Sequence, residues 1–269
     1  MAVNDELGKR MKEFYETIPK SRLMRRTPVI IRIDGKAFHT FTRNFEKPFD
    51  KVLMASMQKT MKYLCENIQG CVLGYTQSDE ISLLLVDYQK LNSCAWFDNE
   101  IQKICSISAS IATLAFSKSF LQEFNSWYKD IRLPNLDAST DKLCNAYQAA
   151  ADRGAMFDAR CFNIPKEEVT NYFYWRQLDA TRNSIEMVGQ ANFSYKELHK
   201  KSCNIIQDML HEQKGINWND YSVPEKRGAA CIKRKYLVDS EGNSYDYPVK
   251  LENSYLERFR SEERRVGKE

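Results

Sequence analysis

An α+β fold is predicted for this chain, with strands and helices in the order β-α-β-β-α-β. Three observations predict it: short β-branched runs typical of buried strands, two long segments with apolar residues at helical spacing, and two apolar runs joined by a short polar turn. At 269 residues, with 43% hydrophobic and 28% charged residues, the chain has the composition of a globular protein with one large core or two subdomains.

The first predicted strand is Val29 to Ile33, a β-branched run that follows Pro28. It carries Asp34 at its end, and Gly35 behind it gives the backbone conformational freedom. The first predicted helix then spans Phe49 to Ile68, because its apolar residues recur every three or four positions. These residues are Leu53, Met57, Met61, Leu64 and Ile68.

Two further strands are predicted at Cys71 to Tyr75 and at Ile81 to Val86. The short polar segment between them forms the tip of a hairpin. It contains Gln77, Ser78, Asp79 and Glu80. If the first strand lies beside this hairpin, Asp34 and Asp79 come close together.

A second helix at Ile101 to Phe120 and a fourth strand at Phe157 to Ile164 complete the pattern. The order is that of the ferredoxin-like arrangement, which is also the palm of many polymerases and nucleotide cyclases. Residues 1–165 are therefore predicted to form a palm-like catalytic domain with an insertion at 121–156, in which Leu143 to Asp152 forms a short helix. Residues 166–259 are predicted to be largely helical.

This C-terminal region has three predicted elements. Helices are expected at Glu167 to Met187 and at Tyr195 to Gln213, and a β-like segment at Ala229 to Val238. Residues 260–269 resemble the translation of a sequencing-adapter end, and we exclude them from the fold.

The two aspartates suggest metal chemistry. Mg²⁺ prefers carboxylate, carbonyl and phosphate oxygens, and two such ions can clamp the attacking and leaving oxygens of nucleotidyl transfer. Asp34, the carbonyl of Gly35 and Asp79 supply suitable ligands. The alternative interpretation is that both aspartates only terminate strands, since Asp and Gly are ordinary turn residues.

Four motifs resemble those of the tRNA-His guanylyltransferase family. They are Arg-x-Asp-Gly-x-x-Phe-His-x-Phe at Arg32 to Phe41, Lys47-Pro48 followed by Asp50, Gln77-Ser78-Asp79-Glu80, and Trp175-Arg176-Gln177-x-Asp179. Their order and spacing are similar to the family's over residues 5 to 235. The resemblance implies a 3′-to-5′ polymerase that adds nucleotides to the 5′ end of tRNA.

One departure indicates a branch of this family. Members that add one guanylate to tRNA-His carry His-Ile-Asn-Asn where this chain has Thr181-Arg182-Asn183-Ser184. The replacement resembles the Thg1-like 3′-to-5′ polymerase branch, which is associated with template-dependent repair of 5′-truncated tRNAs. Repair of 5′ ends is therefore favoured over a strict preference for tRNA-His.

The resemblance also implies roles for individual residues. The implied catalytic residues are Asp34, Asp79 and Glu80, and Asp34, Gly35 and Asp79 hold two Mg²⁺ ions. The implied nucleotide-binding residues are Asp34, Gly35, Lys36, Ala37, Phe38, His39, Lys47, Ser78, Asp79, Lys103 and Asn183. Within this set, the backbone of Gly35 to His39 holds the incoming triphosphate, and Lys47, Ser78 and Asn183 contact the activating nucleotide. The family tends to place a second basic residue where this chain has Glu100, so only Lys103 is assigned there.

Three substrates follow from the implied reaction. ATP activates a 5′-monophosphate as an adenylate, the 3′-hydroxyl of GTP or another NTP attacks it, and pyrophosphate is removed. His39 has an alternative role as a structural residue packed beside Phe38 and Phe41.

Basic residues form two clusters, although the net charge is only +4. One contains Lys20, Arg22, Arg25 and Arg26, and the other contains Lys226, Arg227, Lys233, Arg234 and Lys235. Either could bind RNA phosphates, or both could be ordinary solvated surface. The aromatic run Tyr172 to Trp175 could stack on bases or pack in the core.

Other expectations concern assembly and location. The family resemblance implies a homotetramer, built as a dimer of dimers. No stretch is expected to reach the apolar length of a membrane span, and Met1 to Arg10 lacks a secretory core, so no membrane partner and a cytoplasmic location are predicted. The eight cysteines include no C-x-x-C pair and are predicted to be reduced, without zinc. The rival functions are a palm-type nucleotide cyclase and a non-catalytic RNA-binding protein.

Overall fold

The fold comes from a computed structural model that describes residues 5–131 and 138–232, together with the backbone of two short strands at 236–238 and 244–246. The helices are α1 (Glu6–Met11), α2 (Phe38–Phe41), α3 (Lys51–Asn67), α4 (Ile101–Ile131), α5 (Ala138–Arg153), α6 (Val169–Asn192), α7 (Tyr195–Leu198), α8 (Cys203–Lys214) and α9 (Val223–Arg227). The strands are β1 (Val29–Gly35), β2 (Cys71–Gln77), β3 (Glu80–Leu85), β4 (Phe157–Asn163), β5 (Ala229–Ile232), β6 (Tyr236–Val238) and β7 (Ser244–Asp246).

The central sheet has five strands in the order β4-β1-β3-β2-β5, and every neighbouring pair is antiparallel. β3 lies between β1 and β2, and β1 lies between β3 and β4, so both β-α-β units are split by another strand. The predicted α+β class and the order of its first six elements are confirmed. The fifth strand comes from the C-terminal region, where the sequence predicted only a β-like segment.

One face of the sheet packs against α3 and α4. Val29, Ile31 and Ile33 of β1 alternate toward this face and join the same buried cluster as residues of β3, α3 and α4. α3 begins where Asp50 accepts a hydrogen bond from the Leu53 amide at 2.8 Å, which satisfies one unpaired donor of the first turn.

The opposite face of the sheet packs against α6. Ile30 lies there in a cluster with Tyr172 and Phe173 of that helix. Because side chains alternate along a strand, Arg32 and Asp34 point to the same face as Ile30. The end of β1 therefore presents Asp34 on the α6 side of the sheet.

Several boundaries differ from the predicted ones. α4 continues past Phe120 to Ile131, into the predicted insertion, and α6 continues past Met187 to Asn192. The single helix expected at 195–213 is two helices, because Lys200 takes a left-handed φ of 60° and Ser202 caps α8. α5 begins at Ala138, five positions before Leu143. The basic residues Lys233 to Lys235 and the segment 260–269 lie outside the described residues.

One helix among the described residues, α4, is long enough and apolar enough to cross a membrane, judged by length and composition alone. The expectation that no stretch reaches this length was therefore wrong. In the structure, α4 instead packs along α3 and β4, and its residues Ser108 and Ala112 are fully buried. Small residues at this contact allow the helices to approach closely.

Candidate active site

Asp34 and Asp79 meet at one end of the sheet. Asp34 pairs with Glu80 across β1 and β3, and the Gly35 amide donates a hydrogen bond to the Asp79 carbonyl oxygen at 3.1 Å. Ser78 and Asp79 form the two-residue turn between Gln77 and Glu80, and Ser78 takes a left-handed φ of 49°. The predicted convergence of the two aspartates is thus present in the fold.

No cationic side chain in the described part of the chain is paired with either aspartate. Burial raises the pKa of the Asp79 carboxyl, and the nearby charge of Asp34 raises it further. Across residues 5–131 and 138–232, no Lys or Arg side chain forms an ion pair with Asp34 or Asp79. A bound cation would offset this repulsion.

Gly35 is required by close packing. Its φ is not in the left-handed region, but a Cβ atom there would lie 2.2 Å from the ring of Phe38. Phe38 is buried against Phe41, Phe116 and Phe157. The interpretation of Gly35 as a conformationally permissive residue was therefore wrong, because the glycine instead makes room for the ring.

The loop after Gly35 presents backbone to solvent. Ala37 takes a left-handed φ of 54°, and the Lys36 amide donates to the Met156 carbonyl oxygen at 2.8 Å. The buried Phe38 side chain anchors this loop, and the residues around it, Lys36, Ala37 and His39, are exposed to solvent. His39 is exposed rather than packed in the aromatic core, which disfavours the structural interpretation of this residue.

Glu80 differs from the two aspartates because two arginines bind it. It is 5% exposed, and its carboxylate lies 2.7 Å from Arg32 and 2.8 Å from Arg176. Burial raises the pKa of the Glu80 carboxyl, although both arginines favour its charged form. Glu80 therefore fixes the hairpin to β1 and α6, and its oxygens are already engaged by the chain itself.

The arginines are the site residues that sequence reasoning missed. Both belong to motifs quoted above, but neither received a role. A glutamate between two hydrophobic strands needs a buried cationic partner, and this requirement was the available signal.

The network continues along α6 to Asn183. Arg176 donates to Asp179 at 2.8 Å, and Asp179 accepts from Arg182 at 2.8 Å and from Asn183 at 3.4 Å. Asn183 and the Asp79 turn are therefore linked through Glu80, Arg176 and Asp179.

Lys47 lies in a well-anchored loop before α3. The carboxylate of Asp50 accepts hydrogen bonds from the Glu46 amide at 3.0 Å and from the buried Tyr147 hydroxyl at 2.7 Å. On the other side of Lys47, the Phe49 ring lies 5.3 Å from that of Tyr221. These contacts fix the backbone on both sides of the exposed Lys47 side chain.

Lys103 lies apart from this group. It belongs to the first turn of α4, where the Ile101 carbonyl oxygen lies 3.9 Å from Cys161 Sγ. Cys161 pairs with Ile31, near the start of β1, whereas Asp34 lies at its end. The only charged partner of Lys103 in the described chain is Glu100, at 3.7 Å. The fold does not bring Lys103 to the two aspartates.

The donor set fits a cation that takes few protein ligands. Among the described residues there is no cluster of three or more His, Cys, Asp or Glu side chains that could hold a metal ion. Two carboxylates and a backbone carbonyl are instead the kind of partial set that Mg²⁺ completes with water and substrate phosphate. All eight cysteines are free thiols.

Comparisons with known proteins agree with one another. The family model described as Thg1, tRNAHis guanylyltransferase, matches residues 8–165. A bacterial tRNA(His) guanylyltransferase (Thg1)-like protein in complex with ATP has a TM-score of 0.71 and 40% identity, over 94% of this chain and 96% of that one. A bacterial Thg1-like protein in complex with GTP has a TM-score of 0.69 and 37% identity, over 94% and 98% of the two chains. The tRNA(His) guanylyltransferase of Debaryomyces hansenii is 28% identical over 81% of this chain and 77% of its own length.

Proposed function

Because this chain belongs to the Thg1 family of tRNA(His) guanylyltransferases, which makes it a nucleotidyltransferase, we propose that it is a metal- and template-dependent 3′-to-5′ polymerase that repairs the 5′ end of tRNA. The observation that carries the proposal is the convergence of two aspartates, Asp34 and Asp79, at the end of β1. Family membership favours nucleotidyl transfer over cyclisation and over RNA binding without catalysis.

Asp34, the Gly35 carbonyl and Asp79 are the groups that would hold two Mg²⁺ ions. When bound, these ions would supply charge stabilisation for the attacking and leaving oxygens of phosphoryl transfer. The chain itself fixes the ligands. Phe38 packs on Gly35, and the ion pair between Glu80 and Arg176 holds the turn that contains Asp79. Such positioning costs no reorganisation at the moment of reaction.

ATP and GTP, or another NTP, are the proposed substrates. The bacterial relatives bind ATP and GTP, which supports the assignment. In the proposed reaction, an oxygen of the RNA 5′-phosphate attacks the α-phosphorus of ATP and pyrophosphate leaves. The 3′-hydroxyl of the incoming NTP then attacks the activated 5′-phosphorus, AMP leaves, and pyrophosphate is removed from the added nucleotide by hydrolysis.

Residues of three segments are assigned to the proposed nucleotide site. Lys47 offers a positive charge, the exposed Ser78 a hydroxyl, and Asn183 an amide to the activating nucleotide. The backbone amides from Ala37 to His39 are the proposed donors to the incoming triphosphate, since the Lys36 amide is already bonded to the Met156 carbonyl oxygen. A role for Lys103 requires a separate phosphate contact, because this residue lies at the far end of β1.

Repair rather than single guanylate addition is proposed for two reasons. Thr181-Arg182-Asn183-Ser184 replaces the His-Ile-Asn-Asn of the tRNA-His enzymes. The identity to the bacterial Thg1-like proteins, 37% and 40%, also exceeds the 28% to the Debaryomyces hansenii enzyme.

A homotetramer is proposed as the assembly. Apolar side chains between residues 7 and 18 are exposed, and contact with another copy would remove them from water. They are Leu7 at 63%, Met11 at 38%, Phe14 at 57% and Ile18 at 73%. Light scattering of the purified chain measures the assembly, and a monomeric mass at micromolar concentration would contradict it.

The function is tested by nucleotide addition to a 5′-truncated tRNA with Mg²⁺ and labelled NTPs. The 5′ end is varied between monophosphate and triphosphate, and the template base opposite the gap is varied among all four. We expect each added nucleotide to complement the template base, with ATP required only for the monophosphate end.

Other results would change the assignment. Addition of guanylate to tRNA-His alone would restore the narrower activity of the family. Cyclised NTP without RNA extension would establish the cyclase, and RNA binding without NTP consumption would establish a non-catalytic protein.

A further inference from the structure

Trp175 is a large aromatic side chain exposed next to residues of the candidate active site. Within the run Tyr172 to Trp175, Tyr172 and Phe173 are buried, at 7% and 3% exposure, whereas Trp175 keeps 50% of its surface exposed. The sequence allowed core packing or base stacking for the whole run. The fold places the first two residues in the core and leaves Trp175 free to meet a ligand.

Contacts within the chain hold the Trp175 ring. The Tyr172 ring meets it edge-on at 5.9 Å, and the Arg176 guanidinium lies 4.4 Å from its centroid. Tyr172 is hydrogen-bonded to Ser82 at 2.9 Å, and Arg176 to Glu80 at 2.8 Å. Since Ser82 and Glu80 belong to β3, which pairs with β1, the ring is fixed relative to Asp34.

The ring lies on the β4 side of the site. Tyr172, which contacts Trp175, also contacts Phe162 of β4, while the next residue, Phe173, contacts Tyr75 of β2. β4 and β2 flank β1 and β3 on opposite sides. Trp175 is therefore on the opposite side of Asp34 from Ser78, which follows β2 and is proposed to contact the activating nucleotide.

Two half-exposed arginines lie on the elements that surround the Trp175 ring, β4 and α6. Arg160 of β4 lies opposite Arg32 in the sheet; its side chain is 56% exposed and lies 3.4 Å from the Asp158 carboxylate. Arg182 is two turns further along α6 than Trp175, and its side chain is 60% exposed. A nucleic-acid strand that reaches the site from this side would meet an aromatic ring together with positive charge, the combination used to bind single-stranded nucleic acid.

We infer that Trp175 stacks on the unpaired nucleobase at the 5′ end of the RNA substrate, an inference that rests on the proposed function. The Arg176 guanidinium and the Tyr172 ring hold the Trp175 ring, and the exposed half of its surface is where the base would stack. Stacking tolerates every base, because each base has a π-face. This property suits an enzyme that extends ends of different sequence.

The test is binding of the full chain to an RNA hairpin that ends in one unpaired 5′ nucleotide, without NTP or metal. Anisotropy of a dye at the 3′ end gives the Kd for wild type and for Trp175→Ala, Trp175→Phe and Leu178→Ala. Leu178 is the matched control, an apolar residue of the same helix that is 51% exposed. Circular dichroism confirms that each variant is folded.

Trp175→Ala is expected to weaken binding about tenfold, within the range measured for single base–aromatic stacks. Trp175→Phe keeps a ring and should stay within about threefold of wild type, and Leu178→Ala within about twofold. Equal losses in Trp175→Ala and Leu178→Ala would overturn the inference, because they would show a general effect of surface truncation.

An abasic 5′ residue supplies the second arm. If Trp175 stacks on this base, the wild type binds the abasic RNA about tenfold more weakly than the intact RNA. Trp175→Ala then binds the two RNAs equally well. A full tenfold loss in both proteins would show that the base is read elsewhere.

Steady-state kinetics identify the source of the base. A higher KM for RNA in Trp175→Ala, with an unchanged KM for the incoming NTP, supports stacking on the base at the RNA 5′ end. A higher KM for the NTP with an unchanged KM for RNA would assign the stacked base to the NTP and overturn the inference. Failure of the proposed function is a separate outcome, since wild type would then extend no RNA whatever its affinity for the hairpin. If the wild type extends RNA and Trp175→Ala binds the hairpin with the wild-type Kd, the stacking inference is overturned while the proposed function stands.

Discussion

Arg176 holds Glu80 through both carboxylate oxygens, with Nε 2.8 Å from Oε1 and Nη2 2.8 Å from Oε2. The pair joins α6 to the hairpin strand β3, and both residues are nearly inaccessible to solvent. This contact places the residue before Glu80, Asp79, opposite the end of β1.

Replacing Arg176 tests the strength of this clamp. Arg176→Met leaves Glu80 buried with Arg32 as its remaining cation, and loss of one partner of a buried ion pair costs about 3–5 kcal/mol. The free energy of unfolding in urea measures the effect. Arg182→Ala removes a side chain that is 60% exposed and should cost under about 0.5 kcal/mol. Equal stability of Arg176→Met and wild type would show that the pair contributes nothing.

Asp34→Asn and Asp79→Asn test the catalytic assignment. Each removes one anionic ligand, and nucleotide addition should fall at least about a hundredfold. The melting temperature should stay the same or rise, because repulsion between the two carboxylates is removed. Asp152→Asn, at an exposed aspartate of α5, is the control and should keep full activity. Near-normal turnover in either site variant would refute the metal assignment.

Lys47 and Lys103 are both exposed lysines that the family resemblance assigns to nucleotides, but the fold separates them. Lys47→Ala should raise the KM for ATP about fivefold with a 5′-monophosphate RNA, because one charged contact to phosphate is lost. A 5′-triphosphate RNA needs no ATP and should be extended normally. Lys103→Ala should leave the KM for ATP within about twofold of wild type. A larger effect at Lys103 than at Lys47 would reverse the two assignments.

Tyr147 tests how the insertion supports the Lys47 loop. Its buried hydroxyl donates to Asp50, so Tyr147→Phe should cost about 1.5–3 kcal/mol of unfolding free energy. Burial raises the pKa of the Tyr147 hydroxyl, and the hydrogen bond to Asp50 raises it further. Tyr195→Phe, at a side chain that is 80% exposed, is the matched control. Identical urea midpoints for both variants would mean that the hydroxyl is dispensable.

Periodicity predicted the elements well where local signals were strong. β1, α3, the β2–β3 hairpin and β4 all lie within a few residues of their predicted positions, because each combines an apolar pattern with turn residues at its ends. The long helix predicted after residue 194 failed, since the same apolar spacing continues through the break at Lys200. A helical pattern does not show where a left-handed residue interrupts it.

The candidate site was predicted only in part, for a related reason. Asp34 and Asp79 were found because each follows or precedes a strand with a clear pattern. The arginine partners of Glu80 were not predicted. Arg176 is 96 positions away in the chain and reaches Glu80 only because α6 packs on the sheet. Lys103 was placed with the nucleotide residues by motif, although α4 starts at the other end of β1.

The sequence by itself determined the α+β class, the order of the first six elements, the two aspartates and the family to which the chain belongs, because these depend on local patterns and motifs. Tertiary structure decided which charges are neutralised: Glu80 is held by two arginines, whereas Asp34 and Asp79 form no ion pair with a Lys or Arg of residues 5–131 and 138–232. It also decided that Phe173 is buried and Trp175 exposed, although the two belong to one aromatic run. Burial and charge pairing depend on which elements pack together, and that packing joins residues far apart in the chain.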